Sequence, residues 1–439
     1  MTETLPQRLT LLSAIALLVA EVVAVGIFLT AGRMAIVLPG VSWILAVWCG
    51  MSLMALCGAL CYGQLASRYP TAGGLYVYTK EIWGPAAAFL YGWMSLFVVD
   101  PGITAALAVG AGEYAVLLGP LNSLHPVVVA VLLIFLLAFT SLIGTQRASA
   151  FLVIIAGLKV GLLLFGTVAA AFLGDPENIL SWSSPAALSS SQYSLTAALA
   201  VALVAAYFSF GGWWDLTKMT EEIQNPKGLV RRALVIGVAL VATLYILLTL
   251  AFLYVVPFQP NMDGEAFLGV MARNMFGENG ETLLSSLVLL SIIGTLAALL
   301  VACPRVYFAM SRDGLFFKSV ASVHPRLGTP VRAILLQAGL AILMVVSGSF
   351  EEITGYFIFV ANLFVALPVL GLIYRSGHGR DWPGKRYLVS AVVFITGAAI
   401  LLFVIAFEHP FRSFLGCAVV ALGLPFYWRF LAADRFSGW

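Results

Sequence analysis

Charge is scarce in this chain. Only 10% of its 439 residues are Asp, Glu, Lys or Arg, while 62% are hydrophobic; a soluble domain carries roughly 25% charged residues. The deficit excludes a water-soluble globular protein and leaves a polytopic membrane protein. Histidine is rarer still: His125, His324, His378 and His409 all fall in predicted loops, so any proton coupling within the apolar spans must use a carboxylate or Lys159. The five cysteines, Cys49, Cys57, Cys61, Cys303 and Cys417, lie inside apolar stretches with no C-x-x-C pair and no Cys/His ligand set. They read as small packing residues, and no metal site is assigned. A phosphate-binding Gly-Lys motif, H-E-x-x-H and Gly-x-Ser-x-Gly are all missing, so nothing marks an enzyme and no cofactor is expected.

What the chain has in abundance is long apolar runs. Val41 to Leu65 passes without a charge, and at about 1.5 Å per residue it exceeds the roughly 30 Å hydrocarbon core of a bilayer. Twelve spans are expected, near residues 10–31, 41–66, 84–116, 125–144, 148–174, 194–218, 230–256, 280–311, 331–348, 353–375, 387–407 and 411–432. The first run is too long and too weakly preceded by basic residues for a cleaved signal peptide. Basic residues alternate sharply between the two sets of connections. One side carries nineteen, from Arg8 and Arg68 through Lys218, Arg305 and Arg312 to Arg435; the other carries only Arg33, Arg273 and Arg412. By the positive-inside rule both termini are then cytoplasmic, and the plasma (inner) membrane is the expected location. The net charge of +3 reflects this topology, and no nucleic-acid partner follows from it.

Two of these spans are interrupted: the first at Ala24-Val25-Gly26-Ile27-Phe28, the sixth at Phe208-Ser209-Phe210-Gly211-Gly212-Trp213-Trp214. A helix broken in lipid exposes backbone N–H and C=O groups that only a cavity or a ligand can take up. Half-helix N-termini suit a carboxylate and C-terminal carbonyls suit an ammonium, so an amino acid matches both. Glycine is also a packing residue in membrane helices, and the pairing of the breaks is what favours a site. Five crossings separate them, so the second starts from the opposite side, as in an inverted repeat. The expected organisation is a cytoplasmic N-terminus (1–9), a first five-helix repeat (10–174), a second inverted repeat (194–375), two further helices (387–432) and a cytoplasmic C-terminus (433–439). The longest external stretch, Val256 to Glu281, contains Pro257, Pro260, Asp263, Glu265, Gly277 and Gly280 and suits either a lid-like element or a plain connector.

Glu21, Asp100, Glu113, Lys159 and Asp215 are the ionisable residues expected within spans, and such residues are functional candidates by default. Lys159 lies twelve residues after Arg147, about 18 Å deep at helical rise. It can act as a fixed cation in the place of a sodium ion, as a proton carrier, or as a structural group on helix-end carbonyls. Glu21, one turn before Gly26, can bind a cationic substrate group, pair with Lys159, titrate during transport, or serve only as a buried structural carboxylate. Asp100 precedes Pro101, Asp215 follows two tryptophans, and Glu113 is placed near the outer surface. Phe208, Phe210, Trp213 and Trp214 can close over an apolar side chain, contact an amine through their faces, or simply pack.

Several stretches resemble the amino acid-polyamine-organocation (APC) superfamily, in particular its L-type amino acid exchangers and related bacterial permeases. They are Pro70-Thr71-Ala72-Gly73-Gly74-Leu75-Tyr76; Phe208 to Trp213 followed by Thr220-Glu221-Glu222-Ile223-Gln224-Asn225-Pro226; Arg305-Val306-Tyr307-Phe308-Ala309-Met310-Ser311-Arg312-Asp313-Gly314; and His324-Pro325-Arg326 with Thr329-Pro330. The resemblance implies an all-α integral membrane fold of twelve helices, a 5+5 inverted repeat with broken first and sixth helices plus two C-terminal helices. It implies that an amino acid backbone binds between Val22, Ala24, Val25 and Gly26 on one side and Phe208, Ser209 and Gly211 on the other. Trp214 would lie nearby, Phe208 would be the aromatic gate, and Lys159 would stand where sodium binds in other members.

The chain departs from the family where Gly-Ser-Gly is usual and Ala24-Val25-Gly26 is found, and Glu21 and Asp215 add negative charge. These departures favour a cationic amino acid or an amine without a carboxylate. The expected function is therefore sodium-independent transport of amino acids or related amines by alternating access, through exchange or with protons coupled at Glu21, Lys159 or Asp100. A neutral amino acid exchanger and a substrate-sensing receptor of the same fold are the alternatives. The sequence names no partner subunit; substrate, protons and the bilayer are the partners it supports.

Overall fold

The computed structural model describes residues 4–119, 123–183, 194–258, 267–348, 350–375 and 385–436. Every regular element among them is helical, as an apolar chain requires, because a helix satisfies its backbone polar groups within its own segment. In chain order the α-helices are α1 (Leu11–Val22), α2 (Val25–Val37), α3 (Val41–Arg68), α4 (Leu75–Trp83), α5 (Pro85–Met94), α6 (Asp100–Leu117), α7 (Pro126–Leu142), α8 (Thr145–Leu173), α9 (Pro176–Ser181) and α10 (Leu195–Phe210). They continue with α11 (Pro226–Val255), α12 (Phe267–Phe276), α13 (Gly280–Ala302), α14 (Pro304–Arg312), α15 (Val331–Ser347), α16 (Phe350–Arg375), α17 (Lys385–Glu408), α18 (Pro410–Ala421) and α19 (Gly423–Phe436). Proline opens α5, α7, α11, α14 and α18, where its missing N–H and fixed φ cost nothing.

Eight helical spans among the described residues are long and apolar enough to cross a bilayer, or nine when α1 and α2 count as one bent span. Pro126–Leu142, Val331–Ser347 and Phe359–Arg375 are shorter apolar helices. The protein is an integral membrane protein. Helix α11 forms its spine, packing along α3 and touching α1 and α8. Of the external stretch, residues 259–266, with Pro260, Asp263 and Glu265, lie outside the described residues, as does His378. Phe267–Phe276 is a helix resting on α13. His125 and His324 cap turns, accepting backbone N–H bonds from Val127 and from Arg326 and Leu327.

One end of the bundle is tied together by buried charge. Residues 4–10 lie across the segment that follows α10: the N–H groups of Arg8 and Leu9 donate to Glu222 O at 2.8 and 2.9 Å, and Gln224 N–H donates to Leu9 O at 2.9 Å. The Glu222 carboxylate accepts from Arg305 Nε at 2.8 Å and from the Thr145 hydroxyl. Glu221 accepts from Arg312 at 2.8 Å, from Leu5 N–H at 2.9 Å and from Ala72 N–H at 3.0 Å. Three of the stretches that carry the sequence resemblance thus converge here. Helix α4 is fixed to the loop after α14 by Lys80, 2.7 Å from Asp313, and by the Tyr76 hydroxyl donating to the same carboxylate at 2.9 Å. Burial and then the Asp313 charge push the Tyr76 hydroxyl above its ordinary range.

Two of the nineteen basic residues counted to one side of the membrane are out of water. Lys218 and Arg305 are buried, at 2% and 1% exposure, because each has carboxylate partners that replace water.

Replacing one member of a buried ion pair strands the other, which costs about 3–5 kcal/mol. Arg305→Met should therefore lower the thermal midpoint of the purified protein severely. Lys80→Met, at the part-exposed pair with Asp313, should cost less than about 1 kcal/mol. Equal shifts in thermal unfolding would contradict this ranking.

Candidate functional site

Helix α1 ends at Val22 and α2 starts at Val25, and the two are bent by 47° at the break. The sequence places the interruption at Ala24 to Phe28, whereas the structure places it at Val23 and Ala24 and folds Val25 to Phe28 into α2. The reason lies in the last carbonyls of α1. Lys159 Nζ, from α8, donates to Ala20 O at 2.8 Å and to Val23 O at 2.9 Å. The Thr295 hydroxyl, from α13, donates to Ala20 O at 2.8 Å, and the Tyr245 hydroxyl, from α11, reaches Val22 O at 2.8 Å. Side chains supply the donors that another helical turn would have supplied, so the helix stops there. The Lys159 charge also sits at the negative end of the α1 dipole.

The second break follows Phe210. Gly212 has φ 100°, a left-handed conformation that costs other residues about 1–2 kcal/mol. Beyond it, Trp213–Glu222 runs as a ten-residue 3₁₀ helix, well past the usual three or four residues for this form. The Tyr245 hydroxyl lies 3.0 Å from Ser209 O as well as beside Val22 O, so one phenol stands between the two interruptions. A Cβ on Gly26 would lie 3.0 Å from Ser209 Cα. The Thr30 and Ser209 hydroxyls are 2.6 Å apart, and together these contacts hold α2 against α10.

The structure brings most of the sequence-derived substrate residues to this junction. Glu21, Val22, Gly26 and Ser209 are buried, while Ala24, Val25, Gly211 and Trp214 are partly exposed. Phe208 is 61% exposed. Trp214 stacks on Tyr207 with ring centroids 6.3 Å apart. A small cavity of about 10 Å³ lies beside them, lined in part by Met51, Met54, Phe210, Trp213 and Phe394. That is the scale of one water, so a larger molecule would fit only with the aromatic side chains moved apart.

Beneath the breaks lies a buried polar cluster. A short π-helical turn, Ser95–Val99, precedes Asp100 and brings the Ser95 hydroxyl onto its carboxylate. The Tyr307 hydroxyl is 2.9 Å from Asp100 Oδ2 and also meets the Gln337 side chain. Lys218 Nζ donates to Asp215 Oδ2 at 2.8 Å, to Asp100 Oδ1 at 3.4 Å and to Cys303 Sγ at 3.3 Å. Cys303 is therefore part of this polar network and more than a packing residue. Glu21 lies against Gly212, where an added Cβ would come 3.1 Å from its Cγ, and Asp215 is the charge that acts on it most strongly. No ion pair joins Glu21 to Lys159 among the described residues. Of the three coupling candidates, Glu21 and Asp100 come together around Lys218, and Lys159 is separate. Glu113 is exposed.

Tyr245, Thr295, Lys218, Tyr307 and Gln337 are absent from the sequence-derived set. Three carry signals that were available. Lys218 follows Asp215 by three residues, the spacing of a helical ion pair, and Tyr245 and Gln337 put polar tips within apolar runs.

Comparison with known proteins agrees with this architecture. The family model described as amino acid permease matches residues 9–417. The cystine/glutamate transporter of Homo sapiens is 24% identical over 446 residues, covering 99% of this chain and 87% of that protein. The b(0,+)-type amino acid transporter 1 of Homo sapiens is 26% identical over 446 residues, covering 98% and 89%. The serine/threonine exchanger SteT of Bacillus subtilis (strain 168) is 25% identical over 431 residues, covering 97% of each chain.

Val22 O also accepts from Ala24 N–H at 2.8 Å, so Tyr245→Phe strands Ser209 O in the main and should cost about 1–3 kcal/mol. It should lower the thermal midpoint together with any activity that depends on the junction. Gly212→Ala should destabilise by about 1–2 kcal/mol, whereas Gly157→Ala, with open space around the added methyl, should not. Wild-type stability in Tyr245→Phe would show that water or other groups serve these carbonyls.

Proposed function

Because this chain belongs to the amino acid permease family, we propose that it carries amino acids across the membrane by alternating access, without sodium. The proposed frame is the twelve-span, 5+5 inverted repeat with two added helices. It divides at 10–174, 194–375 and 387–432, with the short tails 1–9 and 433–439 cytoplasmic in the plasma (inner) membrane. The substrate would sit where α1 and α10 end. Its ammonium would compete for C-terminal carbonyls such as Ser209 O, and its carboxylate would meet the N–H groups around Val25 and Gly26. Val22, Ala24, Phe208, Gly211 and Trp214 would line the remainder.

One observation carries the sodium-independent reading. The Lys159 ammonium already occupies the carbonyls of Ala20 and Val23, oxygen ligands of the kind a sodium ion needs. A fixed cation there supplies the charge that would otherwise arrive with each turnover. The relatives named as an exchanger and as transporters support exchange, and protons coupled through Glu21, Asp100 or Lys159 are the other mode. Glu21, Asp100 and Asp215 outnumber Lys218, which favours a cationic substrate. Lys218 in turn pairs with both aspartates, and that pairing favours the second reading, a neutral amino acid exchanger.

Counterflow in proteoliposomes tests the proposal. Vesicles loaded with unlabelled amino acid should accumulate the labelled form equally in sodium and in choline buffer. Uptake that strictly requires sodium would overturn the role given to Lys159. Binding without counterflow would make the protein a receptor on a transporter fold. Competition by lysine and diamines, with none by serine or leucine, is expected for the cationic reading; the reverse pattern selects neutral exchange.

A further inference from the structure

The buried cluster contains carboxyl oxygens that have no hydrogen-bond partner among the described residues. Glu21 is 4% exposed, and neither Oε1 nor Oε2 has a hydrogen-bond partner. Asp215 is 6% exposed, and its Oδ1 is likewise unpartnered, although Oδ2 accepts from Lys218. The other groups are provided for. Asp100 receives the Ser95 and Tyr307 hydroxyls and shares the Lys218 ammonium. Lys159 is engaged by two backbone carbonyls.

The charged and titratable groups around Glu21 are Asp215 and Lys218 on the 3₁₀ segment, Asp100 at the start of α6, and Cys303 and Tyr307 at the start of α14, with Tyr91 on α5 facing Lys218 and the two aspartates. From the helices packed on α1, Lys159 of α8 and Tyr245 of α11 are turned to the backbone carbonyls of Ala20, Val22 and Val23. Three carboxylates against one ammonium leave two net negative charges in a site closed to water. Ionised Glu21, with no donor, would carry an uncompensated desolvation cost of several kcal/mol. Neutral Glu21 has an O–H to give, and Asp215 Oδ1 is the unpartnered acceptor beside it.

We propose that Glu21 and Asp215 form a proton-binding site in which one proton, covalently on Glu21, is donated to Asp215 Oδ1 and joins α1 to the 3₁₀ segment Trp213–Glu222. Binding moves a single proton from water to a Glu21 oxygen, and release returns it, with no other bond made or broken. The two elements it joins are the half-helices on the same side of the two breaks. Loss of the proton sets two carboxylates against each other between those elements and drives them apart. This assigns the exchangeable proton to Glu21, leaving Asp100 and Lys159 as permanently partnered groups. It rests on the transporter reading only for its consequence in the cycle; the site itself is a property of the folded protein.

Infrared spectroscopy of the purified full-length protein in lipid tests it without requiring transport. Wild type should show the carbonyl stretch of a protonated, buried carboxylic acid at neutral pH. Glu21→Gln should abolish that band, and Asp215→Asn should shift it by changing the acceptor. Absence of the band in wild type, or its persistence in Glu21→Gln, would overturn the proposal. So would an unchanged band in Asp215→Asn, which decides the matter alone if Glu21→Gln does not fold. Loss of the band on adding lysine or a diamine at constant pH would instead make Glu21 an amine-binding group. If the band behaves as expected while counterflow is absent, the proton site stands and the transporter reading fails.

Discussion

The structure depends on how it accommodates helix ends that have no lipid-compatible partner. A backbone carbonyl in hydrocarbon needs a donor, and at the first break three side chains from three helices provide one: Lys159, Thr295 and Tyr245. Those helices must therefore sit where they do, close around α1, if the break is to exist. Tyr245 extends the constraint by also reaching Ser209 O, so the two interruptions cannot separate without giving up a shared donor. Any group that parted them would have to offer replacement hydrogen bonds, because the ends are not held by a continuous backbone ladder.

Charge follows the same logic at two levels of the same bundle end. Arg305 with Glu222 and Arg312 with Glu221 close the outermost layer and fasten residues 4–10 across it. Above that layer, Lys218 is divided between Asp100 and Asp215. The outer pairs are matched in number; the inner cluster has more acid than base. A matched pair holds its elements in one arrangement, while an unmatched carboxylate makes the preferred arrangement depend on what cation is present. The part of the structure able to respond to its surroundings lies behind the part that is fixed.

Much of this was legible in the chain. The scarcity of charge gave the membrane, and the paired glycine-containing interruptions located the junction because only unusual backbone needs Gly212 where it stands. Lys159 was visible as a lone cation deep in an apolar run. The position of the first break was not visible, since Val23 and Ala24 are ordinary helix residues and the helix ends there because of side chains contributed from well over a hundred residues away. The burial of Lys218 and Arg305 was not visible for a related reason: a basic residue near a span end looks solvated until a carboxylate from elsewhere in the chain, Asp100 for Lys218 and Glu222 for Arg305, is brought beside it. The polar roles of Tyr245, Tyr307 and Gln337 are properties of what faces them.

The ten-residue 3₁₀ segment has a mechanical implication. A 3₁₀ helix advances about 2.0 Å per residue with about 3.0 residues per turn, and an α-helix about 1.5 Å with about 3.6. Trp213–Glu222 is therefore about 5 Å longer than the same residues would be as an α-helix, and it is wound tighter. Rewinding would draw Glu221 and Glu222, with the N-terminal residues fastened to them, toward the breaks while turning Asp215 and Lys218 about the axis. The difference in length between the two windings of this one segment is close to a full turn of α-helix.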